Sequence, residues 1–101
     1  MLVTPLLKLA ADRQASDLFF TVGATVNIKI DGITLPVNSQ NMYRELGKRI
    51  AYEVMTSRQI VDFVANMEMN FSYRVEGLGN YRVNIFRQRG NIAICGAHQT
   101  L

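Results

Sequence analysis

Met69-Asn70-Phe71-Ser72-Tyr73-Arg74-Val75-Glu76-Gly77-Leu78-Gly79-Asn80-Tyr81-Arg82-Val83-Asn84-Ile85-Phe86-Arg87-Gln88-Arg89-Gly90-Asn91-Ile92-Ala93-Ile94-Cys95 is the stretch that decides the fold. Met69, Phe71, Tyr73 and Val75 alternate with Asn70, Ser72, Arg74 and Glu76. Successive strand residues point to opposite faces, so this period of two reads as a half-buried strand. Gly77-Leu78-Gly79 turns the chain, and Tyr81, Val83 and Ile85 resume the alternation. Gly90-Asn91 is expected to turn it again, into Ile92-Ala93-Ile94-Cys95. The pattern predicts an antiparallel meander of three strands.

Upstream of it the period is helical. Ile60, Val61, Phe63, Val64 and Met67 recur at helix spacing and are expected to form the inner face of one helix. Thr56-Ser57-Arg58-Gln59 fits a capping box, with Met55 and Ile60 placed as a hydrophobic staple. Met42, Leu46, Ile50 and Val54 step by four, predicting an earlier helix from about Asn41 that Gly47 weakens by roughly 1 kcal/mol. Further back, Val26, Ile28 and Ile30 alternate, as do Ile33, Leu35 and Val37, with Asp31-Gly32 between them. Both central residues of a type I′ turn need positive φ, which Asp tolerates and Gly accepts. That turn pairs Ile30 with Ile33. Asp17 to Val22 reads as a buried strand, and Thr4-Pro5 as the start of a short helix with a hydroxyl cap, running to about Arg13. The order is α-β-β-β-α-α-β-β-β. It predicts an α+β domain with one largely antiparallel sheet of about six strands.

Composition excludes several classes of function. The chain has 101 residues, 49% apolar, with eleven Lys and Arg against eight Asp and Glu. One core is expected at this length, and so apolar a chain with a net charge of +3 is not disordered. Cys95 is the single cysteine and His98 the single histidine, so neither a disulfide framework nor a structural zinc site is available. No apolar run approaches the ~20 residues of a membrane helix, and no secretion signal is evident. The expected setting is that of a soluble domain in a reducing compartment.

Catalytic chemistry is sparse. No phosphate-loop motif is present, and Gly77-x-Gly79 is too short for a dinucleotide fingerprint. His98 reads as a solvated tail residue and Cys95 as a small buried hydrophobe, near a sheet edge that invites pairing. Asp17 and Glu68 have no visible acid–base partner, so capping or turn roles are expected for both. No metal ligand set is predicted. Arg82, Arg87 and Arg89, with Arg74 across the hairpin, stand above this background, because the guanidinium fork suits phosphate. Period two separates them: Arg82 shares a face with Asn80, Asn84 and Phe86, whereas Arg87 and Arg89 continue the Tyr81-Val83-Ile85 face.

Several stretches resemble the N-terminal domain of the type IV pilus retraction ATPases, the PilT and PilU family. They are Leu7 to Val22 with Ala15-Ser16-Asp17-Leu18, Val26 to Val37 around Asp31-Gly32, and Val54-Met55-Thr56-Ser57-Arg58-Gln59 with Phe63 and Glu68. Asn70-Phe71-Ser72-Tyr73 and Gly77 to Gly90 match most closely, with a lean towards PilU-like members in the spacing after Phe86.

The resemblance implies a PAS-like domain preceding a RecA-type ATPase domain in a cytoplasmic hexameric motor of twitching motility, at the inner face of the membrane. In that family the phosphate loop and catalytic carboxylates belong to the second domain. Residues 1–101 are then a single non-catalytic domain without a cofactor of its own, ATP and Mg belonging to the full-length protein. Its partner is the ATPase domain of the same or a neighbouring subunit. Alone it is expected to be a monomer or weak dimer that does not hydrolyse ATP, and nucleic acid is not the expected partner. Arg82, within Tyr81-Arg82-Val83-Asn84, matches a family arginine that contacts nucleotide phosphate in trans, with Arg87 and Arg89 as second choices. The family carries Arg where Asn80 stands and another where this chain reads Cys95-Gly96-Ala97-His98, and residues 96–101 do not follow it. The alternatives are a stand-alone PAS-like small-ligand sensor and a weak single-stranded nucleic-acid binder.

Overall fold

Nine elements follow one another in a computed structural model that describes residues 3–99. They are α1 (Val3–Asp12), β1 (Asp17–Thr21), β2 (Asn27–Ile30), β3 (Ile33–Pro36), α2 (Arg44–Val54), α3 (Ser57–Asn66), β4 (Glu68–Val75), β5 (Gly79–Gln88) and β6 (Asn91–Gln99). The strands make one six-stranded sheet in the order β3-β2-β1-β6-β5-β4, antiparallel at every strand pair. Two meanders are thus joined where β1 pairs β6. The α+β class and the order of elements are those the sequence predicts.

The turns explain the registers. Asp31 and Gly32 have φ of 49° and 81°, and Ile30 stands opposite Ile33, as a type I′ hairpin requires. Arg89 and Gly90 repeat the device with φ of 54° and 78°, so this turn lies one residue earlier than Gly90-Asn91, and Asn91 begins β6.

The helices cover one face only. Ile28, Leu18, Phe20, Ile94, Tyr81, Val83 and Ile85 are buried beneath Leu7, Ala10, Ile50, Ala51 and Val54. α1 already includes Val3, so Thr4 is not its cap; instead the Val3 N–H donates to Glu53 Oε1 of α2 at 3.1 Å. α2 starts at Arg44, later than the period suggests. Met42 is buried from an extended segment, its carbonyl accepting from the Gly23 N–H at 2.8 Å.

The predicted capping box of α3 is present: Gln59 N–H to Thr56 Oγ1 at 3.2 Å and Thr56 N–H to Gln59 Oε1 at 2.9 Å. Thr56→Ala is expected to cost about 0.5–2 kcal/mol, read as a lower midpoint in urea with unchanged slope. The inner face of α3 is narrower than expected. Phe63 is fully buried and Ile60 half-buried, but Val61, Val64 and Met67 are 67%, 56% and 61% exposed. The helix packs along β4, the last strand, so only one line of its side chains meets the core. Met67 is the left-handed cap beyond it, φ 61°, donating to the Phe63 carbonyl.

Candidate functional site

The helix-free face of the sheet is where the sequence's best candidate lies. Partners facing each other across a ladder share a face. The register therefore sets Lys29, Asp17, Ala97, Arg82 and Ser72 in one row across five strands. Arg82 stands in the middle of β5 and is exposed. Asn80 lies two residues upstream on the same face, opposite Arg74, which is also exposed. Ala97 is the direct cross-strand neighbour of Arg82. Asn80 and Ala97, in the places where the resemblance implies arginines, thus adjoin Arg82, and Arg74 and Lys29 are further cations of this face.

The other arginines do not join it. Arg87 opposes Ile92 on the helix-bearing face, where its guanidinium lies 5.5 Å from the centroid of the Phe63 ring and its Nη1 donates to the Gly90 carbonyl at 3.3 Å. Arg87 covers the core. Arg89 leaves the strand altogether, because the turn holds it at positive φ.

The remaining candidates have structural partners. Asn84 Nδ2 donates to Asn70 Oδ1 at 2.7 Å and to Glu68 Oε1 at 3.4 Å, tying β5 to β4. Asp17 lies within β1, and its Oδ1 accepts from the Ser16 hydroxyl at 2.6 Å. Among the described residues, no three His, Cys, Asp or Glu side chains form a metal-binding group.

His98 is not a tail residue. It pairs with Tyr81 across the sheet, the two rings T-shaped at 5.1 Å, and its Nε2 donates to the Leu78 carbonyl at 3.0 Å. A carbonyl only accepts, which fixes the proton on Nε2. The signal was available: Ile92, Ile94, Gly96 and His98 continue period two to the end of β6. Cys95 likewise differs from expectation. β6 is central, so Cys95 lies inside the sheet, half-buried on the helix-free face between Phe19 and Asn84. Burial pushes its thiol pKa up, and the Asp17 carboxylate adds to that.

No family model matches the sequence. The type IV pilus ATPase PilU of Pseudomonas aeruginosa is 34% identical over 89 residues, covering 88% of this chain and 23% of that protein. The type IV pilus retraction ATPase PilT of the same organism is 33% identical over 86 residues, 85% of this chain and 25% of that protein. A crystal structure of the pilus retraction motor PilT with bound ADP superposes over 94% of this chain and 28% of its own, with a TM-score of 0.87 at 29% identity. The chain is a homologue of the N-terminal domain of the PilT and PilU pilus ATPases. It spans about a quarter of the length of those relatives. A segment of the ATPase DotB of Legionella pneumophila has the fold of this chain, with a TM-score of 0.82 over 98% of this chain and 28% of DotB at 15% identity.

Proposed function

We propose that this PilT/PilU-type domain is a non-catalytic, cytoplasmic part of a pilus retraction motor. It packs against the RecA-type ATPase domain of its own or a neighbouring subunit and offers Arg82 to the phosphates of nucleotide held there. The observation that carries this reading is the exposed Arg82 on the helix-free face of a fold that matches ADP-bound PilT. Its backbone is fixed in a central stretch of β5, between ladders to β4 and β6, while the guanidinium remains in solvent. Such a side chain reaches a phosphate without first breaking an internal contact, and its planar fork matches two phosphate oxygens. Burying the uncovered face against a second domain then positions it.

Two observations weigh against the alternatives. A sensor that holds its ligand in the core needs a pocket of about 300 Å³ or more between helices and sheet. The void there, lined by residues such as Leu7, Phe20, Tyr81 and Ile94, is about 20 Å³; the larger clefts, about 560 and 520 Å³, lie at the surface around Leu78 and His98 and are open to solvent. A single-strand binder stacks bases on exposed aromatic rings beside its cations, whereas Tyr81 is buried on the helix-bearing face, opposite to Arg82.

The test is a chimera in which this chain replaces the equivalent segment of PilU. Losing a hydrogen-bonded contact to a charged phosphate costs about 1.5–3 kcal/mol, so Arg82→Ala should lower kcat/KM for ATP by about 10- to 150-fold. Arg89→Ala should leave it unchanged. Equal activity of the Arg82 variant and the parent chimera would remove Arg82 from the nucleotide contact.

A further inference from the structure

β4 is an open edge that matches itself. It is the terminal strand of the sheet, eight residues long, and its ladder to β5 runs without a bulge from Glu68 to Val75. It contains neither Pro nor Lys. The opposite edge, β3, has four residues and carries Pro36. Short length and proline are ways of blunting an edge, and β4 uses neither.

Antiparallel pairing of β4 with β4 of another molecule about a two-fold axis at Phe71 sets Glu68 opposite Arg74, twice. The same register sets Met69 opposite Tyr73, Asn70 opposite Ser72 and Phe71 opposite Phe71. Glu68, Asn70, Ser72 and Arg74 then share the helix-free face, and Met69, Phe71 and Tyr73 the helix-bearing face. It also carries Val75 of the second copy to the strand end where Met67 stands 61% exposed. A slip of one residue sets the apolar row of one copy beside the polar row of the other. A slip of two either brings Glu68 against Glu76 or leaves Glu68 against Ser72. Only the register centred on Phe71 pairs both charges.

We propose that β4 is a docking edge for a second copy of this chain, forming a continuous sheet with Glu68 and Arg74 of each copy paired across the two-fold axis. The charge complementarity of the strand with itself selects this occupant over an unrelated strand. Each cross-strand charge pair is worth a fraction of a kcal/mol to about 1 kcal/mol. Reversing one charge makes both pairs repulsive, so the expected effect is about tenfold or more in the dimer dissociation constant.

Sedimentation equilibrium of the chain under reductant and at low salt tests this. The parent chain should dimerise reversibly with concentration. Glu68→Arg and Arg74→Glu, each confirmed as folded by circular dichroism, should each weaken the dimer about tenfold or more. An equimolar mixture of the two variants restores opposite charges at both pairs, and so does the doubly swapped chain; both should return to within about threefold of the parent. Should either reversal disturb the fold, Arg74→Gln tests the same contact, and a smaller weakening is expected. A parent chain that stays monomeric up to about 1 mM would overturn the proposal, as would variants that dimerise like the parent or a mixture that fails to recover.

Discussion

Phe63→Ala is expected to lower the stability of the domain by about 3–5 kcal/mol, the range for deleting a fully enclosed aromatic ring. Phe63 has no exposed surface, and it is the one fully enclosed residue of α3. Its ring also carries the Arg87 guanidinium at 5.5 Å. Without the ring, α3 keeps its capping box but loses its main anchor to the sheet, and Arg87 loses the surface on which it rests. For a domain of ~100 residues each kcal/mol moves Tm by roughly 4–8 °C, so a fall of well over 10 °C is expected. Phe63→Leu, which keeps part of the volume, should fall less. A change below 1 kcal/mol for the Ala variant would mean that α3 does not depend on this contact.

Gly47→Val is expected to be the next most damaging of these changes, at about 1–3 kcal/mol. A Cβ on Gly47 would stand 2.8 Å from Val22 Cγ2 and 3.5 Å from Met42 Sδ. Val22 is β-branched and stiff at χ1, and its segment is bridged to Met42, so it yields little. Overpacking of this kind costs about 1–3 kcal/mol. Gly47→Ala separates the two physical effects by sign. Helix propensity alone gives a gain of about 1 kcal/mol; the contact with Val22 turns it into a net loss of up to about 2 kcal/mol. Chemical denaturation of both variants reads the answer directly.

The sequence showed the elements and their order because each carried its own signal: Asp31-Gly32 for the hairpin, Thr56 and Gln59 for the start of α3, and alternation for β4 and β5. It did not show where the sheet ends. Val61 and Val64 have the spacing of a core face, yet α3 lies over an edge strand and leaves them in solvent. Ile33 and Leu35 are exposed for the related reason that β3 is the opposite edge. Gly47 read as a helix weakener because the close approach of Val22 is a tertiary fact. Cys95 and His98 were misplaced together, since the joining of β1 to β6 makes β6 central and draws Ser16 to His98 by a 2.8 Å backbone hydrogen bond. At the candidate site, period two correctly divided Arg82 from Arg87. The left-handed turn that removes Arg89 from the strand was missed by one residue.

Docking on an ATPase domain tests the central claim most directly. The labelled chain would be titrated with the purified ATPase portion of PilU in the presence of Mg-ADP and followed by fluorescence anisotropy. PilU's own N-terminal domain serves as the positive control. The account predicts saturable binding that competes with the control and weakens when Arg82 is replaced by Ala. Binding of the control together with none by this chain at the same concentrations would contradict it.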